Sequence, residues 1–158
     1  MDKNYLEVML QSLEKKNTLL DKILEKSRQQ EQELNDPALT ADDFNALVRE
    51  KAGLIETLTR LDRGFQSVYN KVKAQLEYNR QQYKKEITAM QVLIREIMDK
   101  SNEIQAQEAR NKKLAEKKFS GVRDKVKQVR NSQKVVNQYY NNMMKVNYVD
   151  SQFLDSKK

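Results

Sequence analysis

Apolar side chains recur at steps of three and four along most of the chain, the spacing that lines them up on one face of a helix. Between Asp2 and Leu34 the positions are Leu6, Met9, Leu10, Leu13, Leu19, Leu20, Ile23, Leu24 and Leu34, which predicts a first amphipathic helix of that extent. Its last stretch, Gln29-Gln30-Glu31-Gln32-Glu33, carries no apolar side chain and is expected to be solvated. Asn35-Asp36-Pro37 ends the helix, because proline lacks an N–H and pushes its predecessor out of helical geometry. Thr40 with Asp43 three residues on approximates a capping box, and Asp42 and Asp43 oppose the positive end of a second helix dipole.

The second helix has the most regular seam. Phe44, Lys51, Leu58, Phe65 and Val72 form one series with a seven-residue step, and Leu47, Leu54, Leu61 and Val68 form the other. Such a repeat predicts knobs-into-holes packing. Lys51 alone breaks it, either as a lysine that reaches out from the edge of the core or as the partner of a carboxylate on the first helix. The seam keeps its phase through Gly53 and Gly64, so both are read as sites within one helix.

A third segment shows Tyr83, Ile87, Met90, Ile94 and Ile97, followed by Ser101, Ile104, Glu108 and Asn111. The spacing persists while the seam turns polar after Ile97, which predicts a helix that its own bundle does not fully bury. A turn is expected around Tyr78-Asn79-Arg80, although neither Gly nor Pro marks it. The pattern also fits one continuous helix from Ala41 past residue 110, whose seam would need a partner chain along its whole length.

Composition narrows the class. The chain has 158 residues, with 3 Gly and 1 Pro, too few for the turns of a many-stranded fold. The expected fold is all-α: a long antiparallel helical hairpin or bundle with an extended C-terminal helix and tail. Residues 1–115 are assigned to the bundle, and 116–158 to a basic C-terminal helix and a Tyr/Asn-rich tail. No apolar run is long enough to span a membrane, and the start lacks the apolar core of a signal peptide, so the expected compartment is the cytoplasm.

Cys, His and Trp are absent. That excludes a Cys/His zinc site, a disulfide framework and any nucleophile–histidine pair. The acidic pairs Asp42/Asp43 and Glu31/Glu33 are near neighbours in sequence, which face apart on a helix and make poor acid–base partners. No Gly-rich phosphate loop is present. The expectation is a protein that is not an enzyme, with no catalytic residue, no metal and no cofactor.

The formal net charge of +7 is concentrated late in the chain. Residues 110–134 hold Arg110, Lys112, Lys113, Lys117, Lys118, Arg123, Lys125, Lys127, Arg130 and Lys134 against only Glu116 and Asp124. Within and around them Ile104, Leu114, Phe119, Val122, Val126, Val129 and Val136 form an apolar stripe that long basic side chains can cover. Three uses compete for this segment: packing on its own bundle, receiving an acidic or amphipathic protein partner, or meeting nucleic acid or a membrane surface. The low Gly and Arg density argues against nucleic acid, and neither nucleic acid nor membrane is the expected partner. The remaining tail, with Tyr139, Tyr140 and Tyr148, is too rich in aromatic and aliphatic side chains for a plain solvated end.

Three stretches carry a family resemblance. They are Leu13-Glu14-Lys15-Lys16-Asn17-Thr18-Leu19-Leu20-Asp21-Lys22-Ile23-Leu24, the run from Leu39 to Asp62 with Lys51 followed by Leu54-Ile55, and Gln107-Glu108-Ala109-Arg110-Asn111-Lys112-Lys113-Leu114. Together they resemble the FlgN-type flagellar export chaperones over roughly residues 5–115. The final Val149-Asp150-Ser151-Gln152-Phe153-Leu154-Asp155-Ser156-Lys157-Lys158 is similar to the end of longer forms of that family. The resemblance implies a cytoplasmic chaperone that covers the terminal helices of hook-associated (hook–filament junction) proteins and hands them to the type III export gate. On that reading the stripe Ile104, Leu114, Phe119, Val122, Val126, Val129 and Val136 is the client-binding surface. Tyr139, Tyr140 and Tyr148 are candidates for docking to an export gate component. The competing reading is a homodimeric coiled-coil scaffold with no client.

Overall fold

The computed structural model describes residues 3–119 and, beyond them, the single positions 127, 130, 131, 134 and 138. Three helices account for nearly all of the first range: α1 (Lys3–Leu34), α2 (Ala41–Tyr78) and α3 (Lys84–Lys118). The all-α bundle expected from the seams is what forms.

Local chemistry sets each boundary. Past Leu34 the chain turns at Asp36, whose Oδ1 accepts from the Ala38 N–H at 2.9 Å beside Pro37. Thr40 has extended backbone (φ −92°, ψ 158°), and its hydroxyl accepts from the Asp43 N–H, so it caps α2 as expected. The second connection uses neither Gly nor Pro. Asn79 ends α2 by donating both its backbone N–H and its side-chain amide to the Gln75 carbonyl, at 2.9 and 3.0 Å. Tyr83 then starts α3, its carbonyl accepting from the Ile87 N–H, while its own ring is buried in the core. The turn removes the continuous-helix alternative. α3 runs through residues 115 and 116 without a break and ends at Lys118.

Side-chain pairs give the directions. Between α1 and α2 the partners run in opposite senses: Lys16 with Asp62, Lys26 with Glu50. Between α1 and α3 they advance together: Asn17 with Glu96, Asp21 with Lys100, Glu31 with Gln107. Hence α1 is antiparallel to α2 and parallel to α3, and it is the helix against which both others pack.

The main core holds 18 buried residues, from Leu6, Met9 and Leu20 on α1 through Leu58, Phe65 and Leu76 on α2 to Ile87, Met90 and Ile104 on α3. A second, separate cluster lies at the α1–α2 loop end: Leu34, Phe44 and Ala115 are buried, with Leu39, Val48, Leu114 and Phe119 packed on them. What lies between the two clusters is mainly polar, with Leu47 of α2 buried beside it.

Candidate functional site

On each helix the apolar seam is interrupted at the same level. α1 contributes Ser27 and Gln30, α2 contributes Lys51, and α3 contributes Gln107, Glu108 and Asn111, every one of them buried. Lys51 is 2% exposed, so the option of a side chain escaping to water is closed. Its ammonium pairs with the Glu108 carboxylate and donates to Gln30 Oε1 at 2.9 Å. The expected pairing partner was a carboxylate on the first helix. The observed carboxylate comes from α3, and α1 supplies an amide oxygen instead.

The rest of the layer closes around that pair. Ser27 Oγ donates to Glu108 Oε1 at 2.6 Å. Asn111 Nδ2 donates to the Ser27 carbonyl at 2.7 Å and to Gln30 Oε1 at 3.2 Å. Gln107 Nε2 bridges Glu31 Oε2 and Asn111 Oδ1 at 2.9 and 3.0 Å, and its carbonyl accepts from Arg110 at 2.7 Å. Among the described residues, the buried side-chain atoms left without a partner all lie elsewhere, on Asn17, Glu33, Glu86 and Gln91. A buried ion pair stripped of water needs this kind of completion, because desolvation otherwise outweighs its Coulomb gain. The arrangement ties all three helices together at one level.

This layer overturns two expectations. Gln29–Glu33 is not simply a solvated end, since Gln30 is buried and Glu31 and Glu33 are half-buried. The polar drift of α3 after Ile97 is not a sign of exposure either: Ser101, Ile104, Gln107, Glu108, Asn111 and Ala115 are all buried. The seam changes chemistry there because its partners do.

The proposed client stripe divides accordingly. Ile104 is fully buried in the main core. Leu114 packs on the small loop-end cluster, and Phe119 meets Phe44 edge-on with ring centroids 5.3 Å apart and planes at 64°. A partner helix could not reach Ile104 without opening the bundle, whereas Leu114 and Phe119 are half-buried and keep part of their surface. Val122, Val126, Val129 and Val136, and likewise Tyr139, Tyr140 and Tyr148, lie outside the described residues. The described positions in that part of the chain, Lys127, Arg130, Asn131, Lys134 and Gln138, are helical and exposed. Their steps of three and four set them on one face, three of the five being basic.

Among the described residues no group of three or more His, Cys, Asp or Glu side chains is placed to hold a metal ion. No described helix is long and apolar enough to cross a membrane. The chain matches no protein-family model, no curated protein and no solved structure.

Proposed function

We propose that the chain is a cytoplasmic export chaperone that binds the amphipathic terminal helices of flagellar hook–filament junction proteins and delivers them to a type III export gate. The observation that carries this reading is a convergence. Lys51 belongs to one of the family-like stretches, Glu108 and Asn111 to another, and the three meet in one buried layer. Residues far apart in sequence that resemble one family are thus joined by a single structural task.

The bundle and the basic segment divide the work. The bundle buries its own apolar seams from Leu6 to Ile104, so it needs no second chain to complete that core. The client then falls to the segment after Phe119. A helical face carrying Lys127, Arg130 and Lys134 stays hydrated, while Val122, Val126, Val129 and Val136 supply the apolar anchors that helix-in-groove binding uses. Ile104 is withdrawn from that surface, since the bundle already buries it, while Leu114 and Phe119, half-buried on the loop-end cluster, stay at its edge.

The test is calorimetric titration of the full chain with a peptide of a junction subunit's terminal helix. Changing Val122, Val126 and Val129 together to Ser is expected to abolish binding while leaving the helical content of residues 3–118 intact by circular dichroism. Undiminished affinity in the triple variant would place the client on another surface, and no binding by the unaltered chain would remove the chaperone reading.

A further inference from the structure

The Lys51–Glu108 layer lies between two hydrophobic clusters of very unequal size, 18 buried residues on one side and 3 on the other. Apolar burial is what couples neighbouring turns of a bundle into one cooperative unit, because each side chain removed from water depends on those above and below it. Here that continuity is interrupted on all three helices at once, at Ser27–Gln30, Lys51 and Gln107–Asn111.

Beyond the layer, separate segments are tied to one another. Phe119 packs edge-on against Phe44, joining the end of α3 to the start of α2. Lys118 Nζ donates to the Asp36 carbonyl at 2.7 Å, joining α3 to the α1–α2 loop. Leu34 and Ala115 complete the cluster from α1 and α3. These contacts link the tips of all three helices to one another.

We infer that the polar layer divides the bundle into two cooperative units and that the loop end, residues 31–50 with 109–119, opens as a whole while the larger unit stays folded. Opening breaks the Phe44–Phe119 contact and bares Phe44, now buried, together with Leu39, Val48 and Leu114, now half-buried, at the end from which the basic segment departs. The inference requires no client, so its failure and that of the proposed function are distinct results.

Hydrogen exchange of the full chain, followed by mass spectrometry at denaturant concentrations below the unfolding transition, tests it. Amides of 42–50 and 109–118 are expected to share one opening reaction, with a weaker denaturant dependence than 55–76 and 87–104. Phe44→Ala, a change on α2, is expected to speed exchange at 109–118 on α3 by the same factor as at 42–50, on the order of 100-fold or more, with 87–104 unaffected. Acceleration confined to 42–50 would mean independent fraying. Equal acceleration everywhere, or loss of the whole fold in Phe44→Ala, would mean one unit. Each of these results overturns the inference.

Discussion

From Leu6 to Leu24, α1 meets mainly aliphatic and aromatic side chains of α2 and α3; three residues further on, Ser27 and Gln30 meet an ammonium, a carboxylate and an amide. Both regions exclude water, yet they constrain the helices differently. Apolar contact is non-directional, so a seam of Leu and Ile tolerates a shift of one helix along another at modest cost. The Lys51–Glu108–Gln30–Asn111 network has one arrangement in which every donor finds its acceptor, and any shift leaves a buried polar group unpaired. The long region supplies stability and the layer supplies registry, a role best attested for single polar residues in helical seams.

The largest effect belongs to the apolar region. Leu58 is fully buried at the middle of the α2 seam. Leu58→Asp buries a charge without a partner, and the expected outcome is loss of the bundle, read as collapse of the helical circular dichroism signal at 25 °C. A bundle that still melts as before would show that the seam of α2 does not face the core.

In the layer the expected pattern is non-additive. Lys51→Met strands the Glu108 carboxylate with only the Ser27 hydroxyl to satisfy it, at a cost of about 3–5 kcal/mol. The double change Lys51→Met with Glu108→Leu removes both charges, and its stability should return most of the way to that of the unaltered chain. Urea unfolding of the two singles and the double closes the cycle. Additive losses would mean that the pair is not coupled and that registry resides elsewhere.

The same contrast explains what could be read along the chain. The seams of α1 and α2 fixed their extents closely, because a Leu or Phe at heptad spacing has one sensible destination, and Pro37 and Thr40 mark the first turn unambiguously. The second turn was placed only approximately, since Asn79 and the buried Tyr83 do the work usually left to Gly or Pro. The polar layer was missed because a buried Gln and a solvated Gln look alike in one chain. A signal was present: Lys51 stands at a seam position of α2, Glu108 and Asn111 keep the seam spacing of α3, and Gln30 lies in the longest stretch of α1 without an apolar side chain, between Leu24 and Leu34. Three polar interruptions that fall at one level once the helices are folded up, down and up again indicate a shared layer. The client stripe was legible as apolar and basic, but spacing could not tell which of its members the bundle keeps.

A smaller change probes the loop end. Thr40→Ala removes the side-chain acceptor for the Asp43 N–H, which costs about 1 kcal/mol at a helix start. If the loop end behaves as its own unit, that loss should appear in exchange at 42–50 and 109–118 and leave the amides of 87–104 unmoved. A shift of the same size in both regions would blur the comparison.

The smallest effect is electrostatic and also sits beyond the layer. Glu33 has its carboxyl raised above the ordinary glutamate value, first by burial and then by the negative charges of Asp43, Glu50 and Asp36; the amide of Gln29, at 3.5 Å from its Oε1, offsets only part of this. Its Oε2 is buried without a donor. In the folded chain the proton is therefore held more tightly than in the unfolded one, and the native state binds more protons across the window between the two values. Stability must then fall as pH rises from the ordinary glutamate value of 4.5 through the raised one, and the penalty is complete above it. Glu33→Gln keeps the shape, removes the charge and brings an amide that can donate toward the surrounding carboxylates. Its melting temperature is expected to exceed that of the unaltered chain at pH 7 and to converge with it near pH 4. Thermal melts at the two pH values decide the matter, and a difference that grows toward low pH would show that Glu33 is held by a favourable partner rather than opposed by its neighbours.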